Sequence, residues 1–150
     1  MKKIKFILLV ITIIFIVTGC PDFLGNIYRI KIHNKTNDAI RFYINYNYSD
    51  TSISQNKPVL LDLIRPQRFV YFDSKKKWEE VLVPPNDTMS IFFFSESVVN
   101  THTWEEIRDS YLILKRYDLS YYDLKYLKWE VTYPPTEKMK NMRMYPPYGQ

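Results

Sequence analysis

Residues 27–48 read IYRIKIHNKTNDAIRFYINYNY, and the alternation within this stretch decides the fold class. In its first half Tyr28, Ile30 and Ile32 fall on one face, while Arg29, Lys31 and His33 fall on the other. A period of two is the mark of a strand with one buried face. Asn34 to Asp38 supplies turn chemistry of hairpin length. From Ala39 to Tyr48 the alternation resumes, with Ile40, Phe42, Ile44, Tyr46 and Tyr48 opposite Arg41, Tyr43, Asn45 and Asn47. The stretch predicts a β-hairpin.

Outward from it, strands are expected at Val59 to Ile64, where Arg65-Pro66 ends the ladder, and at Gln67 to Phe72. Thr88 to Phe94 is apolar on both faces, so it belongs inside the sheet system. Tyr111 to Tyr117 and Trp129 to Tyr133 read as further strands, the last closed by Pro134-Pro135. Ser74 opens a short helical reading through Glu80, although Lys75, Lys76 and Lys77 in its first turn oppose the dipole. Thr103 with Glu106 fits a capping box, and Ser120 with Asp123 is a second such start. The tail, 136–150, carries Met139, Met142, Met144, Pro146 and Pro147 and reads as poorly ordered. The sum is a mainly β, single-domain chain over 27–135, an antiparallel β-sandwich with one or two short helices. The alternative is an α+β layout with a helix covering one sheet.

The 150 residues hold thirteen tyrosines, all after Cys20, and three glycines, Gly19, Gly25 and Gly149. So few glycines exclude the phosphate-cradling loops of nucleotide enzymes. The net charge of +5 includes Lys2, Lys3 and Lys5 at the extreme N-terminus. Without them eighteen basic residues oppose sixteen acidic ones, and overall charge gives no support to nucleic-acid binding. One cysteine permits neither a disulfide nor a cysteine-based metal cluster.

Residues 1–20 read MKKIKFILLVITIIFIVTGC. A basic start precedes an apolar run from Phe6 to Val17, about 18 Å as a helix and short for a ~30 Å hydrocarbon core. This pattern is that of a secretory leader. Val17-Thr18-Gly19-Cys20 resembles the lipobox of bacterial lipoproteins. The resemblance implies cleavage between Gly19 and Cys20 and acylation of Cys20 by palmitate-type chains. Two such chains, at ~0.8 kcal/mol per buried methylene, hold a protein on a bilayer. The implied layout is a leader at 1–19, a tether at 20–26 and an exported, membrane-attached domain. An acidic cluster after the cysteine accompanies surface display in Bacteroidetes lipoproteins; with Asp22 alone, a periplasm-facing position on the outer membrane is expected.

Candidate chemistry is sparse. His33 ends a strand, and His102 precedes a helix with Glu105 behind it, which supplies two metal ligands where three or four must converge. No Gly-x-Ser-x-Gly elbow exists. Asp118 with Asp123, or Glu96 with Glu105, are possible carboxylate pairs, read more simply as turn and helix-start residues. Lys115-Arg116 reads as a pair of solvated charges on a strand leaving the core. Neither catalysis, cofactor nor metal is expected. Tyr43, Asn45 and Asn47 form the sort of row that stacks on and hydrogen-bonds to a glycan. Asp87-Thr88-Met89 resembles the short sequence at which Bacteroidetes attach O-glycans, which makes Thr88 a candidate acceptor.

Tyr46 to Ser52, Ile113 to Leu119 and Trp129 to Pro135 are similar to segments of small uncharacterised Bacteroidetes lipoproteins. That resemblance implies export and lipidation and carries no activity. The expected role is a lipid-anchored, non-catalytic module that binds a glycan or another envelope protein. A structural or assembly partner of an envelope complex is the second reading, and a glycan-related enzyme the third.

Overall fold

The computed structural model describes residues 26–150 apart from 47, 49 and 86. The expected leader at 1–19, the expected cleavage and acylation site at Gly19-Cys20, and Asn47 lie outside the described residues. Among the described residues, eight strands form two sheets. The first sheet has the order β4-β1-β7, built from β1 (Tyr28–Asn34), β4 (Phe69–Ser74) and β7 (Glu130–Tyr133). The second has the order β3-β2-β5-β6-β8, from β2 (Ile40–Asn45), β3 (Asp62–Ile64), β5 (Thr88–Ser95), β6 (Lys115–Ser120) and β8 (Arg143–Tyr145). Four short helices intervene: α1 (Trp78–Val81), α2 (Glu96–Thr101), α3 (Trp104–Asp109) and α4 (Tyr121–Tyr126). The chain is mainly β, as its patterning predicts.

The main core lies between the sheets. Ile30 and Ile32 of β1 and Val131 of β7 meet Ile40 and Phe42 of β2, Ile91 and Phe93 of β5, and Tyr117 and Leu119 of β6. A second core covers the far face of the larger sheet. There Tyr43, Phe92 and Phe94 pack under Ile53 and Leu61 of the β2–β3 connection and under Val99, Trp104 and Ile107 of α2 and α3. Strand β5 therefore faces apolar neighbours on both sides, which is why its sequence does not alternate. Both cores are built within residues 30–139.

The expected hairpin does not form. β1 pairs antiparallel with β4 and parallel with β7, while β2 pairs with β3 and β5. The alternation is real, but two apolar faces can meet across a sandwich as well as lie side by side in one sheet. Asn34 makes the choice. Fully buried, it donates through Nδ2 to the carbonyls of Asp38 at 2.7 Å, Ile64 at 3.1 Å and Arg65 at 3.3 Å. Its Oδ1 accepts from Thr36 N at 2.9 Å and Thr36 Oγ1 at 2.7 Å. The supposed hairpin turn is thus a corner that carries the chain from one sheet to the other. The β1–β7 pair also makes the smaller sheet mixed rather than wholly antiparallel.

Three other expectations change. β6 begins at Lys115 rather than Tyr111, because Tyr111 adopts a left-handed φ of 51° just after α3. Helix α2 was not legible in ESVVNT: adjacent β-branched Val98 and Val99 disfavour a helix, and burial of Val99 in the second core overrides that preference. The tail is ordered. Met139 fills the main core, and β8 pairs antiparallel with the outer side of β6. Methionine adapts to an irregular gap, and an edge strand tolerates the prolines that follow it. Lys115, read as solvated, is buried and donates from Nζ to the carbonyls of Pro146 at 3.0 Å, Pro147 at 3.4 Å and Gln150 at 2.9 Å.

Candidate binding groove

Of the row read from β2 as a glycan-binding face, Tyr43 is not at the surface. Tyr43 is buried, its ring stacked on Phe92 at 4.8 Å and on Phe94 at 5.9 Å, with Trp104 edge-on at 6.3 Å. Its hydroxyl accepts from Ser54 N at 3.2 Å, and burial pushes its pKa up to about 12. Asn45 is half-buried opposite Ser90. The sequence showed a polar face; the β2–β3 connection, folded back over it, makes that face a second core. Thr88 is likewise buried, at the start of β5, with its hydroxyl donating to Asp87 at 3.0 Å, so the folded domain does not present it as a glycan acceptor.

The charged candidates are also accounted for. Asp118 sits in mid-strand with its side chain 0% exposed, so it is no turn residue. It receives Arg116 Nε at 3.0 Å and Arg116 Nη2 at 3.1 Å, and Ser90 Oγ donates to it at 2.7 Å. Arg116 Nη1 completes its set on Thr51 O and the Tyr111 hydroxyl. This guanidinium floors an open hollow of about 740 Å³ bounded by Asp50, Tyr111 and Tyr145, yet nearly all its donors are already engaged. The arrangement pins the β2–β3 connection to the sheet. Asp123 caps α4 through Ser120, as the sequence implied, and Glu106 closes the capping box of α3 with Thr103. His102 Nδ1 meets the neighbouring Thr101 hydroxyl at 2.9 Å. Among the described residues no three His, Cys, Asp or Glu side chains converge on a metal-sized site. A cleft of about 550 Å³ beside Asp38, Glu96 and Tyr133 has one of its two carboxylates committed, since Glu96 accepts from Arg41 at 3.2 Å.

A different place gathers aromatic and charged side chains around one groove. At the N-terminal end of β1 a groove of about 410 Å³ is lined by Tyr28, Trp78, Tyr121 and Trp129, with Arg29, Glu79 and Lys125 at its margins. Trp129 stacks on Trp78 at 6.4 Å and meets Tyr121 edge-on at 5.7 Å. Lys125 Nζ stands 5.8 Å from the Tyr121 ring centre, and Arg29 is held by Asp73 at 3.2 Å. Trp78 is almost wholly buried, and its Nε1–H finds no acceptor among the described residues. A buried donor left in that state costs about 1–3 kcal/mol.

The backbone that delivers Trp129 is strained. Lys128 and Trp129 follow α4 with φ of 55° and 63°, successive left-handed residues where helices commonly place glycine. Each costs on the order of 1 kcal/mol. The turn is closed by Trp129 N donating to Leu124 O at 2.9 Å. Sequence reasoning missed this groove because its tryptophans, far apart in the chain, carry no periodic signal and each stands at the edge of a short element.

No family model matches the chain, and no curated protein and no solved structure matches it either.

Proposed function

We propose that this chain is an exported lipoprotein, attached by acyl chains on Cys20 to a bacterial membrane (the periplasmic side of the outer membrane is the favoured place). Its role is non-catalytic: the aromatic groove binds an envelope saccharide. The observation that carries this reading is the groove itself. Tyr28, Tyr121 and Trp129, each half-buried, offer apolar ring faces to a sugar over a floor that includes buried Trp78, while Arg29, Glu79 and Lys125 supply polar partners for hydroxyls.

The test has two arms. Tryptophan fluorescence of the purified protein is titrated with a panel of envelope oligosaccharides, including peptidoglycan fragments. At least one should bind, and Trp129→Ala should weaken it at least tenfold, equivalent to ~1.4 kcal/mol. Equal affinity in that variant, or no binding by the parent protein, refutes the groove. Separately, Cys20→Ser should abolish acyl labelling; retained label refutes the anchor.

A second reading, an assembly partner of an envelope complex, is favoured by the outer face of the smaller sheet. There Phe69 and Tyr71 on edge strand β4 are 45% and 53% exposed. Lys31 Nζ lies 4.7 Å from the Phe69 ring centre and Arg29 Cζ 5.3 Å from that of Tyr71. Exposed aromatics on an unpaired strand edge suit protein contact.

A further inference from the structure

We propose that the end of the domain bearing the groove lies against the bilayer and binds anionic phospholipid headgroups through Lys75, Lys76, Lys77 and Lys125. The inference rests on the anchor reading above and adds an orientation to it.

Position comes first. Tyr28 at the start of β1 is in register with Ser74 at the end of β4, so the lysine turn adjoins the point where the N-terminal chain enters the domain. Only five residues separate Cys20 from Asn26, six Cα-to-Cα steps, a reach of at most ~20 Å. A domain fastened at Cys20 therefore keeps this end nearest the membrane.

Charge comes second. Lys75, Lys76 and Lys77 are all exposed, and none makes an ion pair among the described residues. The turn is ordered, because Ser74 Oγ accepts from Lys76 N at 3.0 Å and donates to Lys76 O at 2.7 Å. Of the acids nearby, Asp73 is held by Arg29 and Asp123 by the Ser120 cap, which leaves Glu79 and Glu80 in the first turn of α1. The lysines also stand on the wrong side of a helix. Lys77 occupies the N-cap of α1 without a capping hydrogen bond, where positive charge opposes the dipole. Local helix stability is given up at this position, as happens where a surface serves a partner.

Third, the opposite bank of the groove carries interfacial side chains. Tyr122 and Tyr126 of α4 are 78% and 64% exposed, and the Tyr122 ring packs on Tyr121 at 5.5 Å. Amphipathic rings beside lysines match the headgroup layer, where aromatic residues settle and each basic residue adds to attraction for anionic lipid.

The experiment uses the mature chain from residue 20 onward with Cys20→Ser, so that no acyl chain contributes. It is sedimented with phosphatidylcholine vesicles made with and without phosphatidylglycerol. Binding is expected only with phosphatidylglycerol, and it should fall as salt is raised. The variant Lys75→Glu/Lys76→Glu/Lys77→Glu should bind on the order of a hundredfold more weakly. Its circular dichroism should match the parent, because all three side chains are exposed; Tyr126→Ser, which alters no lysine, provides a second and smaller loss. Equal binding to both vesicle types, or an unaffected triple variant, overturns the proposal. If the exported chain takes acyl label yet no vesicle binding occurs, this inference fails and the anchor stands. If label is absent and phosphatidylglycerol-dependent binding persists, the anchor reading fails and the basic surface stands.

Discussion

Replacing Asp118 with alanine tests whether the buried ion pair fastens the β2–β3 connection to the larger sheet. The Asp118 side chain is fully inaccessible and that of Arg116 is 13% exposed, so screening by solvent is slight on either side. Removing the carboxylate strands a desolvated guanidinium and orphans the Ser90 hydroxyl. Breaking one half of such a pair costs about 3–5 kcal/mol. Arg116 keeps Thr51 O and the Tyr111 hydroxyl, which places the expected loss near the lower end of that range. In a domain with a total stability of ~5–15 kcal/mol this is a large fraction. The assay is urea unfolding followed by tryptophan fluorescence. With a slope of ~1–3 kcal/mol/M, a loss of about 3 kcal/mol lowers the midpoint by about 1–3 M. The double variant Arg116→Met/Asp118→Leu should be more stable than Asp118→Leu alone, because no charge is then left buried by itself, although Ser90 stays unsatisfied at about 1–3 kcal/mol. A coupling energy above ~2 kcal/mol is therefore expected in the double-mutant cycle. An Asp118→Ala midpoint within about 0.5 M of the parent, or additive single variants, would refute this reasoning.

Three further outcomes are expected. Burial pushes Tyr43 and Tyr46 up to about 12, against ~10 in the unfolded chain, so their contribution is complete below pH ~10 and is lost as pH rises toward 12. A late step in tyrosinate absorbance near pH 12 should therefore coincide with loss of near-ultraviolet dichroism; dichroism that persists after tyrosinate absorbance has reached its plateau would contradict it. Lys128→Gly should raise the unfolding free energy by about 0.5–1 kcal/mol in urea titration, because it relieves a left-handed side chain at a helix end. Lys115→Met should keep the apolar stem packed while removing the donor to three tail carbonyls. The expected cost is about 1.5–3 kcal/mol, with amide-exchange protection lost in β8 and kept in β5; protected β8 amides would argue that the lysine does not hold the tail.

What the sequence disclosed was local. The capping boxes at Thr103–Glu106 and Ser120–Asp123 are written in four consecutive residues each, and both form as read. Alternation in β1 and its absence in β5 correctly give which faces are buried. What stayed hidden was pairing across distance. No property of residues 34–38 alone says that Asn34 will reach the carbonyls of residues 64 and 65 and so send β2 into a different sheet. Lys115 and Arg116 look solvated until their partners arrive from Gln150 and Thr51. Tyr43 looks like a ligand platform until residues 53 and 61 close over it. The groove was beyond reach for the same reason, since its walls come from four separate elements.

Strand β5 carries one more implication. Its inner side chains belong to the core between the sheets and its outer ones to the core beneath α2 and α3, so neither layer can open without exposing the same backbone. Separate melting of the two layers is thereby suppressed, and the domain should lose structure in a single step. Such all-or-none behaviour limits the time during which an inner segment is open to proteases.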